Sequence, residues 1–474
     1  VFAQINATAS GNIIIGIADN AEIRGGLVSS GTGVRANNGG TGDARITVGN
    51  NATVIGDAPA MSAVALAGNA PIVVGNGGTF QGSSGLIADA QGAGAFAATV
   101  QTGTNNTITF NGSDVGDSYN GYGVVASNAG TGATSVTTGA GTTVNGFSTG
   151  VLVSQRNAGN ANAVTIDVGG DVSGNGTIAN SALLNTYTAA FTAAGLPNTG
   201  LGAAALTLGT GTVTVTGAGN VSGVNVGIQA LSAGTGPAAG NNGVVVSGTG
   251  NTSSGAGVAI NAVINNAANA SNVLVSRSGT VTGATGGVNA RTNGTGNVTV
   301  TGTGATSGGT GTGINATAVS GNVAVTPAST VAGATGINTS TGGAGTTTIT
   351  TAAGAGGNVT GNTGAGIAAT STGSGLITIN NFATTTGATS GVQALNTGTG
   401  SIVLVNNGTI IGSGLGTTPA VSSGTTGAGS TTTITNNGLI RSVANSTGDL
   451  AISSPVTTGA FTIQNAGTLT GRVN

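Results

Sequence analysis

The stretch SIVLVNNGTIIGSG at residues 401–414 contains no charged, aromatic or sulfur-containing side chain, yet its pattern returns twice. The later copies are TTTITNNGLIRS at 431–442 and FTIQNAGTLTGR at 461–472. Alternation of apolar and polar residues over three to five positions is typical of a β-strand, and Gly and Asn adopt the positive-φ conformations that tight bends need. Each copy therefore predicts two short strands joined by a corner.

The first strand of this phrase can be followed along the whole chain. The second inward residue of each VxV-like strand, here called the anchor, gives the series Ile17, Val48, Val74, Phe110, Thr138, Ile166, Val215, Val246, Val275, Val300, Val325, Thr350, Ile379, Leu404, Ile434 and Ile463. Successive anchors lie 25–31 residues apart, except for intervals of 36 and 49. A fixed period of this length is the mark of a repeat architecture.

Two further features recur after the anchor in most repeats. A second apolar position follows six residues later in most repeats, as at Val54 and Ile410, and a third phrase of the form G[VIL]xA follows, as in GVNA at 287 and GVQA at 391. Three strands per repeat predict an all-β fold, a parallel β-helix (β-solenoid) of about 16 coils of 25–31 residues. Stacked coils lie ~4.8 Å apart, so 16 of them would form a rod of roughly 75 Å.

Asparagine recurs two residues past the anchor. The predicted structural bend residues are Asn50, Asn76, Asn381, Asn406, Asn436 and Asn465. Stacking of coils would place Asn over Asn, as Val over Val and Thr over Thr, and such ladders of like residues are favourable where stacked charges would repel.

The composition narrows the classes of function. Glycine supplies 94 of 474 residues, eight residues are Arg, ten are Asp or Glu, and Lys, His and Cys are absent. No nucleic-acid partner or anionic membrane is expected, because both require dense Lys and Arg. No disulfide framework can form, and no run approaches the ~20 apolar residues of a membrane-spanning helix. Abundant Val, Ile and Thr favour an ordered β-rich chain over disorder.

Three phrases of this chain resemble the NxGTIxG coil phrase of bacterial autotransporter passengers and related surface adhesins. They are VNNGTIIGSG, TNNGLIRS and QNAGTLTG. This resemblance implies a right-handed β-helix exported to the surface of a Gram-negative bacterium.

The repeat begins close to Val1 and still continues at the last residues. Two interpretations stay open: the chain is cut from a longer solenoid, or rods self-associate head to tail into a filament. A surface or matrix ligand is the other expected partner.

Three alternative functions are known for chains of this repeat character: a polysaccharide-acting enzyme, a calcium roll and an ice-binding solenoid. A polysaccharide-acting enzyme needs grouped carboxylates, and the nearest candidates are Asp114 with Asp117 and Asp167 with Asp171. Tyr119 and Tyr122 are candidates for a sugar-stacking platform beside the first pair. We expect these acids to be turn or surface residues, and with no His, Lys or Cys available we predict no catalysis, no cofactor and no metal site. A calcium roll needs an Asp in nearly every turn, whereas only ten acids are present.

The third alternative is an ice-binding solenoid, which would present a flat face of outward threonines. Thr214 with Thr216 and Thr299 with Thr301 fit such rows. Val245, Leu274 and Ala324 occupy the same outward places in neighbouring repeats, so we expect an interrupted row and an ordinary Thr-rich face.

The two long intervals between anchors indicate where extra residues are inserted into the solenoid. Residues 173–199 are a predicted insertion, a loop or short helix, in which Leu183, Leu184, Tyr187 and Phe191 follow near-helical spacing. Residues 89–105 are a predicted smaller loop excursion. Insertions in solenoids map to loops on one face, so the 173–199 side chains are the candidate contact site.

Overall fold

A computed structural model describes residues 1–25, 31–112, 121–176, 185–413, 418–443, 448–455 and 459–474, and for residues 185–187 the backbone alone. Within these ranges the chain is a parallel β-solenoid of about 15 turns with three strands per coil, as the repeat pattern predicts. It divides into two compact units. Unit 1 comprises Val1–Pro237 and Gly243–Gly255, and unit 2 comprises Ala238–Asn242 and Ala256–Asn474.

Unit 1 contains three parallel sheets, named A1, B1 and C1, which the chain visits in that order in every coil. Sheet A1 consists of β1 (Phe2–Ile5), β4 (Val34–Thr41), β7 (Met61–Ala67), β10 (Leu86–Ala90), β13 (Tyr122–Asn128), β16 (Thr149–Gln155), β19 (Leu201–Thr207) and β22 (Val226–Ser232). Sheet B1 consists of β2 (Ile13–Ile17), β5 (Ala44–Val48), β8 (Ala70–Val74), β11 (Ala98–Thr102), β14 (Thr134–Thr138), β17 (Val164–Val168), β20 (Val213–Thr216) and β23 (Asn242–Gly248). Sheet C1 consists of β3 (Glu22–Arg24), β6 (Thr53–Ile55), β9 (Thr79–Gly82), β12 (Thr107–Phe110), β15 (Thr143–Gly146), β18 (Val172–Gly174), β21 (Val221–Gly223) and β24 (Thr252–Ser254).

Unit 2 has the corresponding sheets A2, B2 and C2. Sheet A2 consists of β25 (Val258–Ile264), β28 (Gly286–Thr292), β31 (Thr312–Ala318), β34 (Ile337–Thr341), β37 (Ile367–Ser371), β40 (Val392–Asn396), β43 (Val421–Thr425), β46 (Leu450–Ser453) and β49 (Arg472–Val473). Sheet B2 consists of β26 (Asn272–Arg277), β29 (Val298–Thr301), β32 (Val323–Thr326), β35 (Thr347–Thr350), β38 (Ile377–Asn381), β41 (Ile402–Asn406), β44 (Thr431–Asn436) and β47 (Ala460–Asn465). Sheet C2 consists of β27 (Val281–Gly283), β30 (Thr306–Ser307), β33 (Val331–Gly333), β36 (Val359–Gly361), β39 (Thr384–Gly387), β42 (Thr409–Gly412), β45 (Leu439–Ser442) and β48 (Thr468–Thr470).

Two helical segments interrupt this pattern in the described part of the chain. Helix α1 (Asn185–Ala193) lies in unit 1 between β18 and β19, within the insertion predicted at 173–199. A short 3-10 turn (Ala355–Gly357) lies in unit 2 between β35 and β36.

The core consists of columns of like residues. In sheet B1 the parallel register stacks one column of β-branched residues, namely Ile15, Ile46, Ile72, Val100, Val136, Ile166, Val215 and Val246. In sheet B2 the corresponding column is Val275, Val300, Val325, Ile349, Ile379, Leu404, Ile434 and Ile463. Burial of each such side chain stabilises the fold by about 1.5–3 kcal/mol, and every coil depends on its neighbours for that burial.

The hydrogen-bonded register corrects the anchor series. Four anchors face inward but lie two residues beyond the column that contains Ile166. They are Ile17, Val48, Val74 and Thr138. A strand keeps the same side chains inward when it is displaced by two residues, so alternation alone cannot detect this shift.

Two single anchors were also wrong. Phe110 belongs to β12 in sheet C1, and the sheet B1 position of that coil is Val100 in β11. Thr350 points outward, and its inward neighbour Ile349 takes the column position.

Residues 89–105 therefore include one regular strand of sheet B1. This predicted excursion contains the end of β10 and all of β11, and Val100 is buried in the column. The longer coil is the next one, from Val100 to its partner Val136. It includes residues 113–120, which lie outside the described residues.

Candidate functional site

The predicted bend asparagines of unit 2 form a ladder inside the solenoid. Asn381, Asn406 and Asn436 are the last residues of their sheet B2 strands, and all three side chains are buried. Each Nδ2 donates to the Oδ1 one coil further on, at 2.8 Å from Asn381 to Asn406, 2.8 Å from Asn406 to Asn436 and 2.7 Å from Asn436 to the exposed Asn465. A buried amide must have partners, and here identical amides provide them.

Backbone carbonyls complete this ladder. The same Nδ2 atoms also donate to carbonyl oxygens, from Asn381 to Ala383 at 2.9 Å and from Asn436 to Thr468 at 3.1 Å. At Asn381 the Thr385 hydroxyl donates to Oδ1 at 2.8 Å. The ladder therefore joins the ends of β38 and β44 to the backbone at or just before the beginning of sheet C2 strands, in the same coil at Ala383 and in the next coil at Thr468.

The two bend asparagines of unit 1 occupy a different place. Asn50 and Asn76 are exposed and follow the ends of β5 and β8 by two residues. Their Oδ1 atoms accept backbone N–H groups of the next coil, with 3.0 Å from Asn76 N to Asn50 and 2.8 Å from Thr104 N to Asn76. The adjacent Asn51 adopts a left-handed φ of 54°, which few residues other than Asn and Gly tolerate.

The outward face of sheet A1 is covered in its second half. Every residue of β13, β16, β19 and β22 is buried, although alternate side chains point away from the core. The chain between α1 and β19 contributes to this cover, because Gln229 Nε2 donates to the Pro197 carbonyl at 2.5 Å and Asn225 Nδ2 to the Thr199 carbonyl at 2.9 Å.

The candidate contact residues precede this covering segment in the sequence. Phe191, in α1, is completely buried, so it packs within unit 1 and is not exposed for contact. Leu183 and Leu184 lie outside the described residues, as does the side chain of Tyr187.

A carboxylate is buried on the same outward face of A1. Asp89 has no exposed side-chain surface, and its Oδ1 accepts a charge-assisted hydrogen bond from Arg156 Nη2 at 2.9 Å. Gln91 Nε2 donates to the other oxygen, Oδ2, at 2.8 Å. Asp89 and Arg156 are 67 residues apart in sequence, so only the stacking of coils joins them.

We expect Arg156→Ala to lower the free energy of unfolding by about 3 kcal/mol, because it leaves the buried Asp89 carboxylate without its counter-ion. The matched control is Arg24→Ala, also in unit 1, where the side chains of the Arg24–Glu22 pair are 66% and 58% exposed. That exposed pair should be worth less than about 1 kcal/mol. Urea denaturation followed by far-UV circular dichroism compares the two. Equal losses would contradict a stabilising role for the buried pair.

Of the acids considered for catalysis, Asp167 and Asp171 lie among the described residues. Asp114, Asp117 and Tyr119 lie outside the described residues, whereas Tyr122 is completely buried, so it cannot act as an exposed platform for a sugar. Asp167 is half-exposed on the outward side of β17.

Asp171 begins another ladder on the surface. Its Oδ1 accepts from Asn220 Nδ2 at 2.9 Å, and Asn220 Oδ1 accepts from Asn251 N at 3.0 Å. Within the described part of the chain, no group of three or more acidic, His or Cys side chains has the arrangement of a metal site.

The threonine rows are interrupted, as predicted. Thr214 is paired with Val245, and Thr299 lies between Leu274 and Ala324. At Thr301, the other threonine of that pair, the row does continue to the next coil, because Thr326 Oγ1 donates to Thr301 Oγ1 at 2.8 Å.

Two arginines of unit 2 were not singled out from sequence. Arg277 continues the inward alternation of β26 and is completely buried, and this burial lowers its pKa to about 10. Arg291 points outward from β28, where partial burial lowers its pKa. The outward position of Arg291 could have been predicted from the GVNA phrase at 287. Alternation from the inward Val288 places Asn289 and Arg291 on the outward face.

No protein-family model, curated protein or solved structure matches this chain. Among the described residues no helix has the length and apolar character needed to cross a membrane.

Proposed function

We propose that this chain is a structural repeat protein of the bacterial cell surface, similar in kind to autotransporter passengers and adhesins. In this proposal it is exported from a Gram-negative bacterium, and its coils hold a binding surface away from the cell or within a biofilm matrix. The proposal assigns it no catalytic role.

The observation that carries the proposal is the like-on-like stacking of coils. Columns of Val and Ile and the ladder of Asn406 and its equivalents connect coil to coil with neither disulfides nor charge. Such a structure gains length by adding further copies of one unit, which suits a protein that spans distance outside a cell. The likeness of VNNGTIIGSG to the adhesin coil phrase supports the same conclusion.

Self-association is the second part of the proposal. The parallel hydrogen bonding that joins one coil to the next could also join molecules, and heterologous contacts of this kind generate filaments. Negative-stain microscopy of the purified chain distinguishes end-to-end polymers from dispersed particles.

Surface display can be tested with single cysteines, because the chain has none of its own. We expect Ala267→Cys, at an exposed position, to react with a membrane-impermeant maleimide on intact cells of the source bacterium. The control Ala262→Cys, at a completely buried position, should react only after denaturation. Labelling of Ala267→Cys only after cell lysis would contradict surface display.

A further inference from the structure

Sheet A2 carries a concavity on its outward face, at the ends of β28, β31 and β34. Its volume is about 300 Å³, and its lining includes Arg291, Asn293, Thr317, Val319, Ser340 and Thr372. The lining combines one cation, several hydroxyls and an amide with one exposed apolar side chain, Val319, which is 57% exposed.

The register of A2 arranges these groups in a line. Arg291 is paired with Thr317, and Thr317 with Ser340. Adjacent parallel strands are ~4.8 Å apart, so the backbone positions that carry a guanidinium and two hydroxyls follow one another at that spacing on one surface.

The electrostatics of this concavity favour an anion. The sequence contains no acidic residue between Asp171 and Asp449, so the charge of Arg291 lies in a long stretch without carboxylates. Burial lowers the pKa of Arg291, which means that the guanidinium is partly removed from water. A partly desolvated guanidinium binds a carboxylate more strongly than a fully hydrated one, and can do so through two parallel hydrogen bonds.

A second concavity of about 170 Å³ lies on the same strands, lined by Asn289, Asn315, Thr285 and Thr312 among others. Asn289 and Asn315 precede Arg291 and Thr317 by two residues, so they point outward from the same face. Asn315 Nδ2 donates to Asn289 Oδ1 at 3.0 Å. An amide has two N–H donors and two acceptor lone pairs, so the ladder leaves hydrogen-bonding capacity on each amide for a ligand.

These features describe an elongated polar surface, neutral over the amides and cationic at Arg291. A nucleic acid is not the expected ligand, because binding to its phosphates requires many more cations than one. A saccharide chain has hydroxyls for the amides and threonines and apolar C–H surfaces for Val319. We propose that this face of A2 binds an acidic oligosaccharide, with a sugar carboxylate at Arg291 and neutral hydroxyls over Asn289 and Asn315. The inference does not depend on the proposed location, because binding can be measured on the purified chain.

The test is calorimetric titration of the full chain with a hexameric oligouronate and with the same hexamer methyl-esterified at its carboxylates. The free acid should bind, and esterification should weaken binding at least about tenfold, as expected for loss of a charge-assisted hydrogen bond. Arg291→Gln should weaken binding of the free acid by a similar factor and should not affect the ester. Arg441→Gln removes the same charge elsewhere in unit 2 and should leave binding unchanged.

Two measurements distinguish loss of the binding site from loss of the fold. Far-UV circular dichroism checks that Arg291→Gln is folded, and Arg291→Lys, which keeps the charge, should retain part of the affinity. Absence of binding to both hexamers, or equal affinity of Arg291→Gln and the unmodified chain for the acid, would overturn the proposal. Inorganic phosphate competing at the same concentration as the hexamer would also overturn it, by assigning a simple anion site.

Discussion

Replacing Asn406 with leucine is expected to lower the free energy of unfolding by about 3–5 kcal/mol, because leucine has nearly the shape of asparagine but none of its hydrogen bonds. Asn406 accepts from Asn381 and donates to Asn436, both at 2.8 Å, and it also donates to the Leu439 carbonyl at 3.2 Å. The substitution leaves the acceptors on Asn436 and Leu439 and one donor of Asn381 without these bonds inside the solenoid.

The neighbouring residue supplies the control. Asn407 is exposed, and its Oδ1 accepts from Asn437 Nδ2 at 2.9 Å on the surface. Asn407→Leu should cost less than about 1 kcal/mol, since water replaces that bond. Solenoids need not unfold in one step, so hydrogen exchange resolved by peptide should accompany urea denaturation. We expect lost protection to centre on β38, β41 and β44 in Asn406→Leu only. Similar loss in both variants would show that the buried ladder is not what stabilises these coils.

Gly373→Ala is expected to destabilise the protein by about 3 kcal/mol or more, because a Cβ at this position would overlap the carbonyl oxygen of Gly343 in the preceding coil. That carbonyl cannot move freely, since it accepts from the Ser374 N–H at 2.7 Å. Relief of the overlap would require separation of two stacked coils, and Gly398 is packed against Gly373 in the same way.

Gly356→Ala is the matched control for this substitution. A Cβ at Gly356, in the 3-10 turn, would meet no atom within 4 Å. We expect Gly356→Ala to unfold at nearly the same temperature as the unmodified chain, or slightly higher, because alanine reduces the freedom of the unfolded state. Gly373→Ala should unfold several degrees lower, as measured by calorimetry. Coincident transitions for the two variants would contradict close coil packing as the reason for glycine at this corner.

The repeat phrase at 401–414 predicted two of the three strands of its coil correctly. Ile402 and Leu404 face inward in β41, Ile410 faces inward in β42, and the chain turns between the two strands. These properties depend on the alternation of side chains along one strand, which is a local feature.

The register between coils was predicted less well. The anchor shifted by two residues before Ile166, and Phe110 was assigned to the wrong sheet. A displacement by two residues preserves the inward pattern, so only hydrogen bonds to the neighbouring coil decide which residues share a column.

The corner asparagines show the same distinction. Asn406 is the last residue of β41 and is buried, whereas β5 ends at Val48 and leaves Asn50 exposed beyond it. Both positions lie two residues beyond their anchors, but only the Leu404 anchor is in its column. Asn406 is two residues beyond its column residue Leu404, whereas Asn50 is four residues beyond its column residue Ile46, and only the hydrogen-bonded register between coils shows this difference.

By itself, therefore, the sequence determined the fold class, the three strands of each coil and the side chains that face the core, since all of these follow from short-range periodicity. Tertiary structure alone decided the pairing of Asp89 with Arg156, the covering of sheet A1 and the alignment of Arg291 with Thr317 and Ser340. These arrangements join residues one or more coils apart. The lengths of the intervening turns set which of them meet, and alternation within a strand carries no information about those lengths.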